Sequence, residues 1–242
     1  MSSHLRKIFK TVLLGAALKI FLISGAVAGT VLPQNASDIH LGVTSCAGST
    51  CHGATTPWAG STVLQNEYMT WEQYDPHSKA YSVLMNKTSK KIAANLGIGK
   101  AHEAKICLDC HADNVPKNKR GRVFQISDGV GCEACHGGGQ RWLGLHVSGV
   151  GTHEDNVKAG LYPTEDPVKR AELCISCHFG DETKFVTHRI MGAGHPRMSF
   201  ELDTFTAIQP AHYKIDSDYR KRKKVANGIQ TWAIGQAMSL ER

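Results

Sequence analysis

The 242-residue chain is poor in aromatic residues, at 7% of the total. That excludes a large, aromatic-rich protein core, so something other than side chains must fill part of the interior. No stretch beyond residue 27 is apolar enough to cross a membrane. Charged residues are 20% and hydrophobic ones 41%. That balance excludes wholesale disorder. The eight cysteines are about 3% of the chain, too few for a disulfide-dense mini-scaffold. No sequence period is visible beyond the short cysteine motifs described below.

The N-terminus reads as a processing signal. Arg6, Lys7 and Lys10 precede an apolar stretch from Thr11 to Val27, broken only by Lys19, and Ala26-Val27-Ala28 offers a cleavage site. The expectation is a signal peptide over 1–28 and a mature domain over 29–242, in the periplasm, or anchored to the membrane if uncleaved. Loss of Arg6, Lys7, Lys10 and Lys19 takes the net charge from +7 to +3. Much of the basicity is therefore a targeting device, and no nucleic-acid partner is expected.

The cysteines fall into four pairs, each followed at once by histidine: Cys46-Ala-Gly-Ser-Thr-Cys51-His52, Cys107-Leu-Asp-Cys110-His111, Cys132-Glu-Ala-Cys135-His136 and Cys174-Ile-Ser-Cys177-His178. C-x-x-C-H is the attachment signature of c-type haem. Two thiols three residues apart reach the two vinyl-derived carbons on one porphyrin edge, and the next histidine supplies the proximal nitrogen to iron. The first site has a longer spacer, which can still close on the same macrocycle. Disulfides, zinc ribbons or a redox dithiol leave the four adjacent histidines unexplained. Four covalently attached haems c are expected, with His52, His111, His136 and His178 as proximal ligands.

Distal ligands come from the remaining histidines. His77 follows Pro76 at a break in a helical pattern, His146 follows the triple glycine 137–139, and His195 lies between Gly194 and Pro196. These three are the leading candidates. His102, His188 and His212 are further possibilities, of which His102 and His188 join the candidate ligand set. His40 and His153 read as solvent-facing. Met85, Met191 and Met198 could offer sulfur, although core packing is their commoner use.

The fold class is mainly α with little strand, a multihaem cytochrome c fold organised around a compact haem cluster. Residues 29–44 read as a short leader, 116–122 as a basic loop or hairpin, 123–126 as a short strand and 168–174 as a short helix. Residues 225–242 read as a C-terminal helix with Trp232, Ile234 and Met238 facing the body. Arg220-Lys-Arg-Lys-Lys224 is the strongest local cation cluster, either a solvated helix or a docking point for an acidic partner or membrane surface.

Gly-Val-Gly-Cys132-Glu-Ala-Cys135-His136-Gly with His146 resembles the third haem segment of the tetrahaem cytochrome c-554 family. Trp71…His77-Ser-Lys-Ala is similar to the helix after that family's first haem, and Cys107-Leu-Asp-Cys110-His111-Ala to its second site. The resemblance covers about residues 45–180. It implies distal roles for His146 and His77, a five-coordinate second iron, a further distal ligand in the tail beyond His188, and an electron donor of the hydroxylamine oxidoreductase type. Electron transfer between redox partner proteins is the favoured function. One alternative is reduction of a nitrogen- or sulfur-oxide at an open His111 haem, with Asp109, Asp113, Lys117 or Arg120 as weak candidates for an acid or cation beside it. Another is a haem polymer subunit.

Overall fold

The computed structural model describes residues 31–223 and 225–241; the expected signal segment 1–28 lies outside the described residues. Eleven α-helices follow in chain order: α1 (Glu67–Tyr74), α2 (Lys87–Leu96), α3 (Lys105–His111), α4 (Cys132–His136), α5 (Leu143–Ser148), α6 (His153–Lys158), α7 (Pro167–His178), α8 (His188–Gly192), α9 (Leu202–Ile208), α10 (Ser217–Arg222) and α11 (Gly228–Leu240). Among the described residues the β content is two isolated bridges, His40 with Arg120 and Asp181 with Lys184. The fold is mainly helical with almost no strand, in line with the cytochrome class read from sequence. The expected strand at 123–126 does not form. Residues 121–124 turn back on the leader, and a 3₁₀ turn occupies Ile126–Asp128.

The longer helices have local causes. Asn86 caps α2 by accepting from Ser89 N at 2.8 Å; its apolar face is Ile92, Ala93 and Leu96; Gly97, at φ 68°, ends it in the left-handed conformation. Asp166 caps α7 through the N–H groups of Val168 and Lys169, and Pro167 takes the first turn, where its missing N–H costs nothing. That helix runs farther than the expected 168–174 and carries the last cysteine pair on its final turns.

Among the described residues, buried apolar side chains form three small clusters rather than one core. Leu84, Ala93, Ala101, Leu108 and Ala112 make the first; Ile92, Leu96, Ile190 and Ala193 the second; Ala171, Ile175 and Leu202 the third. A chain this long ordinarily buries a single contiguous core. Here the clusters sit around a cavity of about 1320 Å³. No helix of the described residues is long and apolar enough to cross a membrane.

The expected leader is a strap. The Glu133 carboxylate, within the third cysteine motif, accepts from the N–H groups of Leu41, Gly42 and Gly139 at 2.6–2.7 Å. Asp38 pairs with Arg141, and Ile39 N donates to Gln140 Oε1 at 2.9 Å. A Cβ on Gly138 would meet Ile39 O and the His40 ring at 2.8 Å, so glycine permits this close approach.

Candidate haem sites

Three of the four cysteine motifs end helices. Cys107–His111 closes α3, Cys132–His136 is α4, and Cys174–His178 closes α7. Helical spacing of three residues sets both thiols on one face, with the histidine one step further round. The first motif is a turn instead. Cys51 N donates to Gly48 O at 2.8 Å and His52 N to Cys46 O at 3.2 Å, so the two extra residues bulge out while the ends close. All eight cysteines are unpaired and half-buried.

Each proximal-motif histidine faces one other histidine. His52 and His146 have ring centroids 5.9 Å apart and planes at 11°. His178 faces His77 at 5.9 Å and 88°, His111 faces His195 at 6.3 Å and 76°, and His136 faces His212 at 6.4 Å and 87°. All eight line the cavity, together with every motif cysteine except Cys51.

Among the described residues, no three His, Cys, Asp or Glu side chains converge into a self-sufficient metal cage. The histidines meet in twos. Two imidazole nitrogens at about 2.0 Å from one metal put ring centroids roughly 6.3 Å apart, the separation these pairs have. A pair of opposed imidazoles of this kind would hold a haem iron between them.

Hydrogen bonds set which nitrogen points inward. His52 Nδ1 donates to Glu67 Oε2 at 2.9 Å, and His77 Nδ1 to Asp75 Oδ1 at 2.8 Å. His111 Nδ1 donates to Ala80 O at 3.0 Å, and His195 Nδ1 to Pro196 O at 2.8 Å. In each case Nε2 is left for the cavity. Glu67 also accepts from Leu64 N and Gln65 N, which fixes its carboxylate.

Burial and charge act differently on these imidazoles. Burial pushes His136 and His178 down to about 4, and lowers His111 and His146, so all four favour the neutral, ligating form. The Glu67 and Asp75 hydrogen bonds raise His52 and His77. Asp75 is held at about 2: burial opposes its charge, but the bonds from His77 outweigh it.

The cavity wall also holds unsatisfied donors. Arg170 Nε and Trp142 Nε1 are buried without a hydrogen-bond partner, and both residues line the cavity. Buried donors left unpaired are costly, and a carboxylate-bearing ligand such as haem would satisfy them. The residues present fit the group. Thiols from different motifs also lie close together, Cys46 beside Cys132 and Cys110 beside Cys177. The attachment points of the first and third sites are thus neighbours, as are those of the second and fourth.

Other sequence readings fare differently. His102 packs edge-on to Tyr81 and lies near Glu103; His188 is exposed at the start of α8. Neither faces a motif histidine. His212, which carried no distinguishing signal beyond Pro210-Ala211 before it, takes the place opposite His136. His40 is not in solvent: it is 0% exposed and its Nδ1 donates to Asp113 at 2.7 Å. His153 is half-buried against Glu165, which Lys223 also reaches. Met85 is exposed rather than aimed at the cavity.

The motifs, the opposed imidazoles and the shared cavity define a c-type haem protein. A family model described as cytochrome c554 and c-prime matches residues 45–137, which bears out the resemblance over that stretch and spans the first three motifs. The match marks the chain as a haem-binding, electron-transfer cytochrome with covalently bound haem c. No curated protein and no solved structure matches it.

Proposed function

We propose that this chain is a periplasmic tetrahaem cytochrome that carries electrons between redox partner proteins, with every iron held between two histidines. The pairing of all four motif histidines with a second imidazole is the observation that carries this reading. Haem, when bound, supplies iron that takes up and releases one electron. The chain supplies the rest. His52 with His146, His111 with His195, His136 with His212 and His178 with His77 would hold the four irons and keep water and small molecules off them. Eight cysteines would tether the cofactors in pairs of neighbouring sites. Glu67 and Asp75 would strengthen their imidazoles as donors and favour the oxidised state at those two sites.

The opposition of His195 to His111 supports a filled second site, and so favours a carrier over a reductase. Three of the four acid and cation candidates are engaged elsewhere: Asp113 holds His40, Asp109 is paired with Lys105 and accepts from Asn114, and Arg120 donates to Val115 O.

Low-temperature electron paramagnetic resonance of the oxidised protein tests the reading. All centres should be low-spin. The nearly parallel His52–His146 planes should give one rhombic signal, and the three nearly perpendicular pairs signals with a large maximum g value. A high-spin centre in the untreated protein, lost on adding nitric oxide, would overturn it.

A further inference from the structure

Helix α11 turns its large apolar side chains away from the protein. Its thirteen residues carry no charge. Toward α7 and α9 it presents Thr231 and Gly235, both buried, with Ile234 and Met238 packed against Leu202 and its neighbours. A Cβ at Gly235 would stand 2.7 Å from the Leu202 side chain, so a small face is what lets these helices meet. On the opposite side Ile229 is 80% exposed, Leu240 89% and Trp232 51%. The sequence expectation had Trp232 facing the body; it faces outward. With Ala233, Gln236 and Ala237, all exposed, these residues recur at helical spacing and form one stripe.

Directly before this helix, α10 ends in Arg220, Lys221 and Arg222, all exposed, and Lys223 and Lys224 follow in the sequence. Arg222 pairs with Asp218, and Lys223 with Glu165. Four described cations thus stand next to an uncharged helix with an outward apolar stripe that includes tryptophan, and Lys224 follows them in the sequence.

We propose that α10 and α11 form a docking element for an anionic phospholipid surface. The cations meet the headgroups, and the stripe of Ile229, Trp232 and Leu240 enters the boundary between headgroups and acyl chains. An indole suits that boundary, with its ring in the apolar layer and its N–H toward water. An acidic protein would satisfy the cations but gives no reason for a stripe without charge. A second copy of this chain would cover the stripe but bring two basic clusters together. Docking of this kind does not depend on what the cavity binds.

Hydrogen-exchange mass spectrometry of the full haem-loaded chain tests this at the helix itself. Phosphatidylglycerol vesicles should slow exchange of the amides in 228–240, phosphatidylcholine vesicles should not, and salt at about 1 M should abolish the effect by screening. The combined Arg220→Gln, Lys221→Gln, Arg222→Gln variant should bind the anionic vesicles on the order of a hundredfold more weakly, about fivefold per cation. Trp232→Ser should also weaken binding, and an unchanged Soret spectrum would show that both variants remain folded. Unchanged exchange of 228–240 on anionic vesicles overturns the proposal. So does equal protection by neutral vesicles, or protection that needs no vesicles and rises with protein concentration, which would mean a second copy covers the helix.

Discussion

The imidazoles of His111 and His195 face each other across the cavity, ring centroids 6.3 Å apart and planes at 76°. His111 ends α3, and its Nδ1 is held by Ala80 O; His195 lies just beyond α8, and its Nδ1 is held by Pro196 O. Both Nε2 atoms are left for a metal between them. A likeness to a family with an open second site suggested a place for substrate here, and on the proposed reading this pair would close it. The difference matters because a carrier and a reductase need opposite things of an iron: a filled coordination sphere for one, a vacant position for the other.

Removal of His195 should reverse this. His195→Ala is expected to create one high-spin ferric centre that binds nitric oxide, where the parent protein has none. A spectrum identical to the parent's would contradict the pairing.

The third site separates the tail histidines. His212→Ala should produce a high-spin centre, since His212 alone faces His136. His188→Ala and His102→Ala should leave every centre low-spin, because one residue is exposed and the other packs on Tyr81. The reverse pattern in paramagnetic resonance would reassign the third and second sites.

Carboxylate partners should be visible in the potentials. Glu67→Gln weakens the pull on His52 Nδ1–H and should raise one reduction potential, on the order of tens of millivolts, leaving the others nearly in place. Asp75→Asn should do the same at the His77 site. Spectroelectrochemical titration reads both changes, and four unshifted potentials would show that these hydrogen bonds do not tune the metal.

Glu165 predicts a pH dependence of stability. Its carboxyl is lowered from the ordinary 4.5 to about 2: burial opposes the charge, but the bonds from His153 and Lys223 outweigh it. A lowered acid contributes stability that is complete above its unfolded value and fades as pH falls from 4.5 toward 2. Glu165→Gln should therefore lower the melting temperature at pH 6, a loss of roughly 1–3 kcal/mol, and the gap from the parent should narrow steadily below pH 4.5. A gap constant with pH would mean that shape rather than charge is lost.

Much of the site was legible because its chemistry is local. A cysteine pair followed by histidine states its own geometry within one helical turn, and His146 and His77 stand out beside a glycine run and a proline break. The third and second sites borrow a residue from the far tail. His212 and His195 reach His136 and His111 only through the path of the chain after α7, and that path leaves no periodic trace. His40 was misread for a related reason. Its burial depends on Glu133 gripping the backbone of Leu41 and Gly42, and a carboxylate inside a cysteine motif gives no sign of that role. Helix α11 was recognised, with observed bounds of Gly228–Leu240 against the expected 225–242; Ile234 and Met238 face the body as expected, and Trp232 does not. A helix without charge, its few polar residues spread round it, gives little sign of which side packs.

Intact mass spectrometry of the denatured protein, produced in a host that matures c-type cytochromes, addresses the central claim most directly. Thioether attachment survives denaturation, so the polypeptide should carry four haem masses and keep its Soret band after acid–acetone extraction. Three or fewer haems, or colour that leaves with the solvent, would contradict the account.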